Sequence, residues 1–438
     1  AASSNKLVRT SRLEDAVARE ALGELASLLR DGGDPNAVSE ADGSTLLHLA
    51  ASRDSAKIVR LLLQAKADVD SVAPDGIAPL GAAALSGAVS CVEALLAAKA
   101  LVGLAAADGA TALHLAAEHG GEGCISLLLK AGAPIDALTL DDWASPLLVA
   151  CFNGHPQAAR LLIEADADLD TPNAEEATAL HVSCHNSSTE CVQLLVGAGA
   201  DIDLRTSAGE SALHVACTVG DFMSADALIA ARADVNCTSM DGATPLHAAC
   251  ISGSAECAEA LLAAGATLTS APNVVPPLHV ACEHGHAECA AVLLSAGAPP
   301  DSPSPVDGSA PLFVALLNEH TDCVEALVAA RADVDTRSTD GSTPLMLAAS
   351  YGNVRCVQLL LESGADLNLT FRDETALDLA RRFERPQVEE LLQDATDALD
   401  IEANRIEQER LLAAAEAEEE AERAEAEEAA AKAAAEAE

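Results

Sequence analysis

Along most of the chain the apolar residues fall into pairs of short blocks separated by polar breaks. A first block, such as LHLAA at 47–51, ends in a turn; a second carries a leucine pair, such as Leu61 and Leu62 or Leu359 and Leu360. The second block runs into GAD-like segments, GADID at 199–203 and GADLN at 364–368, and an Asp-Gly pair such as Asp241-Gly242 precedes the next first block. Blocks of this length between turn residues predict two short helices per unit, with an Asp-Gly turn between units.

Leu246, in DGATPLHAAC, marks the register. Its equivalents are Leu47, Leu80, Leu113, Leu147, Leu180, Leu213, Leu278, Leu312, Leu345 and Leu377, at spacings of 32 to 34 residues. Two positions before this marker a hydroxyl residue stands in eight of eleven copies (Thr45, Thr111, Ser145, Thr178, Ser211, Thr244, Thr343, Thr375), and Pro directly precedes it in six. A hydroxyl oxygen can accept the orphan amides of a helix start, and Pro at the first helical position gives up no bond. Seven residues after the marker stands Gly at 87, 120, 154, 220, 253, 285 and 352. Glycine there suits the left-handed conformation that closes a helix.

With this register, DGATPLHAACISGSAECAEALLAAGATL and DGSTPLMLAASYGNVRCVQLLLESGADLN resemble ankyrin repeats, whose signature is a period of about 33 residues with a Thr-Pro-Leu-His element. The resemblance covers roughly residues 12–393. It implies an all-α ankyrin-repeat solenoid, built of helix-turn-helix units with β-hairpin turns and followed by a long acidic helix. The expected organisation is an N-terminal arm at 1–12, a solenoid at 13–393 and an Ala/Glu-rich tail at 394–438. Within the solenoid, ASLLRDGGDPN belongs to a degenerate N-terminal cap unit, about eleven repeats follow, and the copy around Leu377 is the C-terminal cap. Some copies depart from the family pattern: Gly81, Leu148, Phe313, Met346 and Asp378 stand where His is usual. Glu175-Glu176 and APNVVPP (271–277) replace the Asp-Gly turn, so both places are expected to be bent or mobile.

Composition agrees with closely stacked helices, since 50% of the 438 residues are hydrophobic but only 2% are aromatic. The formal net charge is −44, from 69 acids against 25 bases. That field opposes nucleic acid and anionic membranes as partners. The short basic run Arg381, Arg382 and Arg385 is flanked by acids and reads as solvated helix charge. The start AASSNKLVRT lacks the apolar block of a secretory signal, and no charge-free apolar stretch is long enough to span a bilayer. A soluble, cytoplasmic location without membrane insertion is therefore expected. Because the sequence begins at Ala1 without an initiating Met, it is expected to be a fragment or a processed product.

CEHGHAEC at 282–289 has the residue types of a zinc site, with Cys282, His284, His286 and Cys289 close together and His279 upstream. The repeat register sorts them otherwise. His48, His114, His181, His214, His247 and His279 all directly follow the marker leucine, where the resemblance implies that they brace neighbouring units by hydrogen bonds. His119, His185 and His284 lie at the turn between helices, and His155, His286 and His320 just past it.

Seven cysteines (91, 124, 191, 257, 289, 323, 356) fall eleven residues after their marker and five (151, 184, 217, 250, 282) fall four after it; only Cys237 lies outside both columns. Other copies carry Ala or Leu316 in the second column, and a position that accepts Ala or Leu is a packing position, where a free thiol acts as a small hydrophobe. There is no CxxC pair, Gly-rich phosphate loop, GxSxG elbow or HExxH. No catalytic residue, metal or cofactor is assigned, and the chain is not expected to be an enzyme. A metal-dependent hydrolase built on the His and Cys content would require stoichiometric zinc.

The resemblance places partner contacts at the hairpin tips and at the residues five and six after each marker, which differ from copy to copy. The expected partner-binding residues are Arg53, Leu85, Glu118, His119, Phe152, Asn153, His185, Asn186, Ile251, Glu283, His284, Leu317 and Tyr351, together with Trp143 at a turn position usually filled by Gly. The sole Trp and sole Tyr are included because aromatic anchors dominate interface energetics.

After about residue 394 the repeat stops. Leu392, Leu399 and Ile406 are spaced by seven, and residues 394–438 hold 16 acids and 4 bases, a net of −12. EAAAK at 428–432 and the pairs Glu419–Arg423 and Glu428–Lys432 favour a solvated single helix. Pairing of tails into a coiled coil is the alternative to a monomer. The function expected from this reading is a non-catalytic scaffold or adaptor that binds a protein partner on the concave face. The alternative is a regulatory or targeting segment of a larger enzyme or channel.

Overall fold

The computed structural model describes residues 2–269 and 272–436. It forms two compact units, one up to Val274 and one from Val275 onward.

The first unit opens with helices Ala2–Ala18 and Leu22–Arg30, whose Leu13, Val17 and Leu25 are buried. The opening helix runs through residue 12 without a break. Six repeats follow with the same plan, from Leu46–Ser52 paired with Ala56–Gln64 to Ala212–Val219 paired with Phe222–Ala230, and Pro245–Ser252 with Ala255–Ala263 completes a seventh. Helices of two turns are marginal alone. Here each first helix packs on the first helices of adjoining repeats, and each second helix on second helices. The core is made by the marker leucines and by the column that contains Leu62, Leu95, Leu128, Leu162, Leu195, Leu228 and Leu261, all fully buried. Alanines such as Ala116 and Ala117 between them let the backbones approach closely.

Thr45, Thr111, Ser145, Thr178, Ser211, Thr244, Thr343 and Thr375 are all N-cap residues, as their spacing predicts. The position seven after the marker is left-handed even where it is not Gly: Asp54, Ser187, Glu319 and Glu384 have φ of 53° to 59°. The turn thus belongs to the repeat geometry, with Gly the unstrained choice.

The hairpins carry no extended strand among the described residues. They are reduced to isolated antiparallel bridges at Val38–Thr45, Ala105–Thr111, Arg205–Ser211 and Phe371–Glu374. In the first unit the tips are instead joined from one repeat to the next. Ala107 N–H donates to the Asp75 carbonyl, Leu140 to Asp108, Ala174 to Asp142, Ser207 to Glu175 and Met240 to Ala208. The expected bend at Glu175-Glu176 is absent: Glu176 takes φ of 59°, the conformation Gly has in other copies, and the ladder passes through unbroken. The other expected irregularity, APNVVPP at 271–277, begins at residue 271, which lies outside the described residues.

The second unit holds helices Pro277–His284, Ala287–Ser295, Pro311–Leu317, Thr321–Ala329, Pro344–Tyr351, Val354–Glu362 and Ala376–Arg382, and then the helix Pro386–Glu436 of 51 residues. This last helix begins as a packing element, with Val388 and Leu392 buried, and continues through residue 393 without a break. From Asp397 on every described side chain is exposed, so Leu392 alone of the three heptad-spaced residues is packed, while Leu399 and Ile406 face solvent. Among its described side chains Glu389 pairs with Arg381 of the preceding helix, and Arg405–Glu402 and Arg410–Glu407 pair three residues apart; no pair forms between Glu419 and Arg423, and Glu428–Lys432 lies outside the described side chains. No helix among the described residues is long and apolar enough to cross a membrane.

Candidate partner-binding surface

Histidines directly after the marker leucine tie the first helix to the following hairpin. In the first unit His48 Nε2 donates to the Ile77 carbonyl at 2.9 Å, His114 to Ala144 at 3.1 Å, His181 to Glu210 at 3.2 Å and His214 to Ala243 at 3.1 Å. In the second unit His279 donates to Ser309 at 3.1 Å. Burial lowers the pKa of all five below the ordinary imidazole value. They hold the hairpins over the helices and so build the wall of a groove.

In the first unit this wall encloses a cleft of about 630 Å³, running across four successive repeats. Val149, Val182 and Val215, two residues after their markers and half-buried, form its floor with Leu115. Asp108, Asp142, Glu175 and Glu210 stand on the hairpin side, and Glu118, Phe152, Asn153 and His185 on the helix-end side. Of the residues expected from the sequence, those last four are brought together here. Phe152 is 53% exposed, which leaves most of its ring open to the cleft and solvent.

The other expected residues are distributed differently. Trp143 is 56% exposed at a hairpin tip, with φ of 58°, and does not line the cleft. Arg53 donates to the Ala18 carbonyl at 3.2 Å and Asn186 to the Phe152 carbonyl, so both cap the end of the preceding repeat's first helix. Asn153 likewise donates to the Val149 carbonyl at 2.9 Å. Leu85 is half-buried, whereas His119 and Ile251 are exposed. In the second unit Glu283 and Leu317 line a smaller recess of about 300 Å³, while His284 and Tyr351 are exposed outside it.

Sequence reasoning missed the floor. The column two after the marker is apolar in every copy, which reads as core; its signal was the run of Val149, Val182 and Val215, which the groove leaves half-open.

The CEHGHAEC segment is a helix end. Cys282 and Cys289 are buried, Gly285 closes the helix Pro277–His284 with φ of 79°, and a Cβ on Gly285 would come within 2.6 Å of His320 Nδ1. His320 packs there because its Nε2 donates to the Glu283 carbonyl at 3.1 Å. His284 and His286 have ring centroids 6.2 Å apart. Among the described residues no three His, Cys, Asp or Glu side chains are grouped to hold a metal ion.

All thirteen cysteines are free and buried. The two columns meet between repeats: Cys151 lies against Cys191, Cys217 against Cys257, and Cys282 against Cys323. Burial pushes the Cys91 thiol up to about 12 and Cys124 to about 11.

Comparison with known proteins places this arrangement. Matches to the family described as Ankyrin repeats (3 copies) run at residues 13–103, 63–139, 97–173, 147–239, 180–272, 213–304, 268–338 and 312–404. No curated protein matches the chain. Among solved structures, the human ASB11 ankyrin repeat domain is 34% identical over 49% of this chain and 98% of its own, with a TM-score of 0.44. The ankyrin repeat domain of Bcl-3, described as a unique member of the IkappaB protein family, is 27% identical over 50% of this chain and 97% of its own, with a TM-score of 0.45. With family matches spanning residues 13–404 and a capped two-helix unit recurring throughout, the chain belongs to the ankyrin repeat family.

Proposed function

We propose that this chain is a non-catalytic scaffold or adaptor that holds a protein partner along the first-helix and hairpin face of its repeats, chiefly in the cleft spanning residues 108–215. Ankyrin repeats are generally protein–protein interaction modules and are typically non-catalytic. The observation that carries the reading is the cleft itself: a half-open valine floor beside exposed Phe152, rimmed by polar side chains, in a frame that otherwise repeats. An apolar floor with a polar rim is the anatomy of an interface, and a partly exposed aromatic is its usual anchor.

Site-specific photo-crosslinking tests it. A photoreactive residue at position 152 or 182 is expected to yield partner adducts that vanish on Val182→Arg, whereas one at position 160, on the second-helix face, yields none. Equal adducts from position 160 would sink the reading.

A further inference from the structure

The charges around the cleft narrow the class of segment it fits. Its lining holds five carboxylates, Asp108, Glu118, Asp142, Glu175 and Glu210, and no Lys or Arg. Three of them, Asp108, Asp142 and Glu175, occupy the same hairpin position, five before the marker, in successive repeats. The backbone ladder fixes this row: Leu140 N–H donates to the Asp108 carbonyl at 2.6 Å, Ala174 to Asp142 at 2.7 Å and Ser207 to Glu175 at 2.9 Å. Asp108 and Asp142 also accept, through Oδ1, the amides of Ala110 at 2.9 Å and Ala144 at 3.3 Å. The Asp108 and Asp142 carboxylates are thus held at the rim instead of ranging through solvent, so a cation meeting them loses little side-chain entropy on their account.

Packed helices lie about 8–10 Å apart, and a chain in the extended polyproline II conformation advances about 3.1 Å per residue with three residues per turn. A segment crossing the repeats in that conformation therefore presents roughly every third side chain to successive members of the acidic row, with intervening side chains free to reach the floor at Val149 and Val182. Resting on the reading of this cleft as a binding surface, we propose that its occupant is an extended basic segment of a protein partner, with Lys or Arg at about every third residue and apolar side chains between. An acidic segment meets like charge along the whole rim.

The test is fluorescence anisotropy with the full chain and three labelled peptides: Lys-Val-Ala triplets, the same peptide with Glu for Lys, and the same with Ser for Lys. The Lys peptide binds and the Glu peptide does not. Asp108→Asn/Asp142→Asn/Glu175→Gln, which keeps the amide-accepting oxygens and is checked for fold by circular dichroism, binds the Lys peptide about tenfold or more weakly. Phe152→Ala also weakens it, and the tail variant Glu416→Gln/Glu418→Gln/Glu419→Gln/Glu420→Gln leaves it unchanged. Equal binding of Lys and Glu peptides, loss confined to the tail variant, or no binding by any peptide overturns the proposal. Preferred binding of the Ser peptide, weakened by Phe152→Ala, overturns the basic segment while leaving the cleft as a binding surface.

Discussion

Thr178 and His181 close on each other in a reciprocal cap: the Thr178 amide donates to His181 Nδ1 at 3.2 Å, and the hydroxyl lies 2.9 Å from the same nitrogen. A backbone N–H can only donate, so Nδ1 is the acceptor and Nε2 carries the proton donated to Glu210. The same pair recurs as Thr45–His48, Thr111–His114 and Ser211–His214. In each of these repeats a single neutral imidazole thereby fixes both a helix start and the next hairpin.

The pH dependence of stability follows. The folded-state pKa values of His48, His114, His181, His214 and His279 lie below the ordinary value because of burial, so the unfolded chain binds more protons at mildly acidic pH. The stabilisation is full above the unfolded value of about 6.5 and is lost as pH falls from there through the depressed folded values. Urea midpoints are expected to drop between about pH 7.5 and about pH 5.5. His114→Gln/His181→Gln should shallow that slope; an unchanged slope would mean that these imidazoles are not the titrating groups.

His279 departs from the pattern in a way that predicts a stabilising substitution. Its N-cap is Pro276, which has neither N–H nor hydroxyl, and its Nδ1 is buried without a hydrogen-bond partner. Pro276 has φ of −63° and ψ of 151°, a conformation open to Thr. Pro276→Thr is expected to raise stability by about 1 kcal/mol by restoring the cap. Thermal unfolding of the variant checks it, and a lowered midpoint would contradict it.

Trp143 sits at φ of 58°, a region that is strained for a bulky residue, by about 1–2 kcal/mol. Trp143→Gly should therefore stabilise the chain. If the ring contacts a partner, the same variant binds that partner more weakly, and a calorimetric comparison of melting and binding separates the two effects. A drop in melting temperature would show that the exposed ring packs more than it strains.

Burial raises Cys91 and Cys124 well above an ordinary thiol, which leaves almost no thiolate at neutral pH. A chromogenic thiol reagent should react with almost none of the thirteen cysteines in the folded chain and with all of them in denaturant. Fast reaction of several thiols without denaturant would show that the stack opens locally.

The helix starts, the left-handed closures and both cysteine columns were legible in the sequence because each is a local or periodic property: a cap needs its hydroxyl, a turn its glycine, and a stacking position its small apolar side chain. Phe152 and His185 could be picked out as variable against that frame. The sequence could not show that Trp143 and Phe152, nine residues apart in one copy, part company, with only Phe152 reaching the cleft. Nor could it show that Arg53 and Asn186 turn back to cap helix ends, that Val149 and Val182 leave the core to floor a groove, or that Glu175-Glu176 carries the hairpin ladder. These depend on how one repeat is set against the next. The sequence by itself determined the repeating unit, since helix ends and buried columns follow from short-range chemistry; tertiary structure decided which side chains share a surface, since stacking brings together residues that lie about a whole repeat apart.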